Sequence, residues 1–230
     1  MFHVKPSAAT LSTPPAEAAE IFGAALASIE RYGQLLATAG LERGLIGPRE
    51  VDRLWERHLV NCAALAPWLP DEGRVVDLGS GAGLPGVIVA LLRPNLDVVL
   101  LEPMLRRAAF LSEVVADLAL PRVSVVRARA EEWANQAPAA ADVVVARAVA
   151  PLPKLAGWAV PLLTPGGELL ALKGRAAAQE LSSAGATLDR LGIVERGGHS
   201  VVSGASVTYV VRLQRGHQTA ATVRSKRRSG

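Results

Sequence analysis

The sequence predicts an α/β chain: a mostly parallel, seven-stranded sheet, preceded by a helical extension and closed by an antiparallel hairpin. Three observations carry this. Short runs rich in Val and Leu alternate with amphipathic stretches of helical length, the pattern of strands buried on both faces by helices. After residue 191 the rhythm changes to two strand-like runs joined by a short Ser-Gly-Ala turn. Before residue 70 there are helical patterns with no strand between them. The chain therefore divides into an extension over 1–70, a sheet domain over 71–215 and a basic tail over 216–230.

In the extension, apolar spacing predicts amphipathic helices over 14–38 and 48–66. Thr13 is placed to cap the first and Pro48 to open the second, and Gly40, Gly44 and Gly47 mark the connection. The sheet begins at 74–78 and continues with strands at 97–102, 123–127, 142–146 and 167–172. Helices are expected between them at 104–118, 131–136 and 151–163, and a further one at 175–191. Runs 193–202 and 206–214 form the hairpin.

Composition narrows the class. Half of the 230 residues are hydrophobic, enough for a full core. No apolar run approaches the roughly 18 residues of a membrane span, and Met1-Phe-His-Val-Lys-Pro lacks the layout of a signal peptide. A cytoplasmic monomer with no membrane partner is expected. The single cysteine, Cys62, excludes an internal disulfide and a cysteine-based metal cage, and no metal site is expected. The formal charge of +4 comes from residues 215–230, since Arg215, Arg224, Lys226, Arg227 and Arg228 leave 20 bases against 21 acids elsewhere. Such a tail is expected to be disordered alone and able to graze phosphate.

The richest run is Arg74-Val-Val-Asp-Leu-Gly-Ser-Gly-Ala-Gly-Leu-Pro-Gly86: a strand, a carboxylate, then four glycines in eight residues. Gly79, Gly81 and Gly83 allow positive φ and leave no Cβ between the main chain and a ligand, so a flat adenosine can approach closely. Ser80 and Leu84 complete the loop, and Pro85 suits the first position of a helix whose free N–H groups point back at it. Gly81, Gly83 and Gly86 also satisfy the dinucleotide fingerprint, with Glu102 about 20 residues on, so a nicotinamide-dependent reductase is the alternative. That alternative leaves Asp77 unexplained, because a pyrophosphate would suffer its charge. S-adenosylmethionine has a sulfonium and an ammonium group and no phosphate, so an acid at the strand end fits it. Asp-x-Gly-x-Gly-x-Gly resembles the loop of class I, Rossmann-like S-adenosylmethionine-dependent methyltransferases.

In open parallel sheets the ligand crevice lies beyond the carboxyl ends of the strands. Glu102, after the second strand, can accept both ribose hydroxyls. After the third strand comes Arg127-Ala-Arg-Ala-Glu131, where main chain at Ala130 and Glu131 would bracket the adenine. Arg129 lies either beside the site or on the surface. The fourth strand ends at Arg147 and the fifth at Lys173, two cations suited to a phosphorylated substrate. There is no Asn-Pro-Pro-Tyr type grip for an exocyclic amine and no Pro-Cys for a covalent route. His58 shares a helical face with Leu54 and Cys62 and is either a packing residue or part of the site.

Trp55-Glu-Arg-His-Leu, the Asp77–Gly86 loop, Arg129-Ala-Glu-Glu, Ala146-Arg147-Ala and Leu172-Lys173-Gly174 together resemble the bacterial small-subunit rRNA guanine-7-methyltransferases, the RsmG or GidB family. The resemblance spans roughly residues 20–214, and Leu-Pro-Gly and Arg-His-Leu are its most specific parts. It implies S-adenosylmethionine as cofactor, 16S rRNA or the small ribosomal subunit as partner, and methylation of nitrogen 7 of one guanosine. That nitrogen has a free lone pair, so direct in-line displacement needs no general base. Arg129, Arg147 and Lys173 then position RNA or cofactor. The chain resembles the family least at Gln34-Leu-Leu-Ala-Thr38, where members commonly carry Asn-Leu-Thr. Another RNA, or a small molecule, is the alternative substrate.

Overall fold

The computed structural model describes residues 10–147, 149–203 and 206–217. Its seven strands are β1 (Gly73–Leu78), β2 (Leu96–Leu101), β3 (Val123–Val126), β4 (Ala141–Arg147), β5 (Leu163–Lys173), β6 (Ile193–Ser203) and β7 (Ser206–Arg215). They lie side by side in the order β3-β2-β1-β4-β5-β7-β6. β1 to β5 run parallel, and β7 inserts antiparallel between β5 and β6. The order reverses between β1 and β4, and a crevice opens there above the strand ends.

Neighbouring residues along each strand feed opposite layers. Val75, Val98, Val143 and Leu170 pack on one face. Val76, Val99, Val144 and Leu169 pack on the other. The first face is covered by the extension with α4 (Gly86–Leu92) and α5 (Leu105–Asp117). The second is covered by α6 (Ala130–Gln136), α7 (Leu152–Ala159), α8 (Ala177–Ser183) and α9 (Gly185–Arg190).

The extension and the sheet are not separate bodies. Tyr32, Leu36 and Leu59 share one continuous core with Val75, Ile88 and Phe110. Arg31 pairs bidentately with Asp117 of α5, and Arg43 with Glu113. Asn61 donates to Thr208 of β7, and Trp68 stacks against His199 of β6 at 5.2 Å.

Neither extension helix is continuous as expected. Over 14–38 the chain forms α1 (Ala18–Phe22), a tight turn at Gly23, where φ is +50°, α2 (Leu26–Leu35) and a widened π turn at Leu36–Gly40. Thr13 does not cap it: α1 starts after Glu17, because Pro15 disfavours helical backbone at Pro14. The second stretch is a 3-10 segment (Pro48–Arg53), a π turn (Leu54–Val60) and the short α3 (Asn61–Ala63). The 175–191 helix breaks into α8 and α9 at Ala184. The β5 strand starts at Leu163, four residues early, because Leu163 pairs with Ala141 across a bulge. The hairpin forms as expected, although its turn residues 204–205 and the basic tail from 218 lie outside the described residues.

Candidate cofactor and substrate cleft

A cleft of about 1290 Å³ lies over the ends of β1, β2, β4 and β5. The glycine loop forms its floor. Gly79, Gly81 and Gly83 take φ of +72°, +61° and +100°. Their surroundings differ. A Cβ at Gly83 would press on Val87 and on the Tyr32 hydroxyl at 2.8 Å, and one at Gly86 would lie 2.5 Å from Asp77 Oδ2. At Gly81 a Cβ would meet only the loop's own Gly79 carbonyl, at 3.9 Å. Gly81 therefore faces the open cleft, while Gly83 and Gly86 are small because protein packs against them. Pro85 immediately precedes α4 instead of opening it, and its carbonyl accepts the Val89 N–H at 3.0 Å.

Asp77 is not on the cleft wall. It is fully buried beneath the loop, where Oδ2 accepts the Gly86 N–H at 2.9 Å and Oδ1 has no partner. Burial pushes its pKa up to about 7, against the pull of the Gly86 N–H. Glu102 does line the cleft, and it already serves the main chain. Its Oε2 accepts the Gly81 N–H and its Oε1 the Met104 N–H, both at 2.9 Å. The carboxylate thus pins the loop and retains one acceptor position on each oxygen.

Opposite the loop stand the ends of β4 and β5 and part of the extension. Arg147 donates to the Arg57 carbonyl at 3.2 Å and so bridges β4 to the extension. Lys173, expected as a cation at the crevice mouth, lines the cleft, where its side chain is 7% exposed and clamped. Its Nζ donates to the Ala150 carbonyl at 2.6 Å and to Glu180 Oε2 at 2.8 Å. The Lys173 ammonium in turn holds Glu180 below the ordinary carboxylate range.

His58 lines the cleft, with its side chain 14% exposed. It stands within the π turn at Leu54–Val60. Its Nε2 meets Glu50 Oε2 at 2.9 Å, and Arg57 holds the other Glu50 oxygen at 3.0 Å. Burial first, and Arg147 next, keep the His58 pKa below its ordinary value.

The cleft thus gathers Gly79, Ser80, Gly81, Leu84, Glu102, Arg147, Lys173 and His58. It does not include Arg129, Ala130 or Glu131 in its wall, because these start α6 beyond the end of β3, and Arg129 and Glu131 are exposed. Sequence reasoning missed Glu50, Arg57, Glu180 and the Leu45–Gly47 stretch, all of which line it. Arg57 carried a signal as the neighbour of His58 in Trp55-Glu-Arg-His-Leu. Glu180, far from any motif, carried none. The Gln34–Thr38 segment, singled out as a departure, contributes nothing to the wall.

Residues 25–204 match the family model described as rRNA small subunit methyltransferase G. A ribosomal RNA small subunit methyltransferase G of Streptomyces avermitilis is 54% identical over 213 residues, covering 91% of this chain and 88% of that one. One of Acidothermus cellulolyticus is 59% identical over 172 residues, covering 75% and 76%. Among solved structures, M. jannaschii TYW2 in complex with AdoMet aligns with a TM-score of 0.56 at 16% identity, over 70% of this chain and 76% of that one. The precorrin-6y C5,15-methyltransferase of Geobacter metallireducens aligns with a TM-score of 0.52 at 19% identity, over 68% and 87%. At such identities the likeness is one of fold, that of class I methyltransferases. The chain belongs to the rRNA small subunit methyltransferase G family.

Proposed function

We propose that this chain transfers a methyl group from S-adenosylmethionine to nitrogen 7 of one guanosine in the 16S rRNA of the small ribosomal subunit. The observation that carries the reading is one cleft that combines an open glycine turn beside a carboxylate with an exposed cationic rim. The turn at Gly81 is a cradle that a Cβ would begin to fill, and Glu102 offers the acceptors that ribose hydroxyls require. Gly79, Ser80, Leu84 and Glu102 would hold the cofactor, with Asp77 and Gly83 shaping the loop from beneath. When bound, S-adenosylmethionine supplies an electrophilic methyl group.

The chain's own part is alignment. Nitrogen 7 of guanine keeps a free lone pair at neutral pH, so in-line displacement needs no general base. Positioning alone can lower such a barrier by roughly 7–11 kcal/mol at best. Arg57 and Arg107, with side chains 52% and 43% exposed, flank the mouth with Arg147 and suit RNA phosphates or the guanine oxygen edge. A site for a small molecule has no use for such a rim. Lys173 acts through the Ala150 carbonyl by shaping the loop after β4. Arg129, exposed at the start of α6, is a candidate for the RNA backbone.

The test is primer extension on 16S rRNA from small subunits incubated with the protein and S-adenosylmethionine, after cleavage at 7-methylguanosine. One protein-dependent stop is expected. Methyl transfer with no such stop would overturn the assignment to nitrogen 7.

A further inference from the structure

Tyr32 lies in the middle of α2, in the extension, and is completely buried. It reaches across to the glycine loop, where its hydroxyl donates to the Ala82 carbonyl at 2.7 Å. Ala82 sits between Gly81 and Gly83, at φ of +61° and +100°, flanked on both sides by the residue type with the greatest intrinsic backbone freedom. Burial raises the phenol well above its ordinary pKa, so the donor keeps its proton. Two ties therefore act on the centre of this loop from opposite sides. Glu102 takes the Gly81 N–H from the sheet, and Tyr32 gives to the Ala82 carbonyl from the extension.

We propose that Tyr32 is a positioning residue of the cofactor loop, so that the extension fixes the backbone on which S-adenosylmethionine rests. This depends on the reading that the Gly79–Leu84 loop receives that cofactor. A glycine-rich loop left free must be ordered when its ligand binds, and that cost reduces affinity. A loop already held from both sides avoids most of it. The contact also explains Gly83, since a Cβ there would collide with the hydroxyl that makes the tie.

The test is calorimetric titration of S-adenosylmethionine into the full chain and into Tyr32→Phe, which keeps the ring and removes the hydrogen bond. Arg31→Ala is the control, because it loosens α2 by removing the Asp117 pair without touching the loop. Tyr32→Phe is expected to weaken binding about 5- to 10-fold, the usual consequence of leaving one carbonyl unpaired. Arg31→Ala is expected to stay within about twofold of the unaltered chain. In the unliganded protein, the Gly83 and Leu84 amides of Tyr32→Phe should exchange hydrogen faster. Equal affinity for the unaltered chain and Tyr32→Phe overturns the proposal, as does an equal loss in Arg31→Ala. Absence of any binding to the unaltered chain overturns the reading of the cleft itself.

Discussion

Lys173 Nζ stands 2.8 Å from Glu180 Oε2, and the same oxygen accepts the Leu152 N–H at 2.9 Å. One carboxylate oxygen on α8 thereby ties the end of β5 to the start of α7, while Lys173 also holds the Ala150 carbonyl. The loop after β4 is built around this clamp.

Replacing Glu180 by Gln keeps an acceptor for Leu152 and removes the charge. A stability loss of about 1–3 kcal/mol is expected by urea unfolding, with slower methyl transfer and cofactor affinity unchanged. Because Lys173 lowers the Glu180 pKa, the contribution is present above the ordinary carboxylate range and disappears as pH falls through the lowered value. The difference between the two proteins should vanish in strong acid.

Asp77 gives the opposite pH dependence. An unfolded aspartate ionises near 4 and the folded one at about 7, so between those values only the folded chain keeps the proton. Stability should therefore fall as pH rises from about 4 to about 7. Asp77→Asn should flatten that slope when unfolding is compared at pH 5 and 8.

Two glycine substitutions separate packing from access. Gly86→Ala places a methyl 2.5 Å from Asp77 Oδ2 and inside contact with Leu100, and should cost about 1–3 kcal/mol of stability. Gly81→Ala meets no neighbour that closely and carries only the strain of positive φ, about 1–2 kcal/mol. Its larger effect should be on cofactor affinity, read by titration, because its methyl projects into open cleft.

Arg147→Ala removes the cation that bridges β4 to the Arg57 carbonyl. Methylation of 16S rRNA should fall by about tenfold or more while cofactor binding holds, the loss expected for a contact to a charged group. Normal transfer by this variant would remove Arg147 from the substrate site.

Much of the sheet was legible because period and composition agree. Val75-Val76, Val98-Val99 and Val143-Val144 are apolar on both faces, and only a strand covered by helices needs that. Glu102 was legible because it directly follows a strand. The extension was not, because amphipathic spacing cannot distinguish a straight helix from one interrupted by 3-10 and π turns. The position of Lys173 at the end of β5 was evident, but its clamp was not, because its partner Glu180 sits on a helix that the sequence does not connect to it.

The central claim is that this cleft takes a positively charged methyl donor and not a pyrophosphate dinucleotide. Equilibrium titration of the full chain with S-adenosylmethionine and, separately, with a reduced nicotinamide dinucleotide measures it directly. Saturable one-to-one uptake of the first with no response to the second is the expected result. Uptake of the dinucleotide with indifference to S-adenosylmethionine would contradict it.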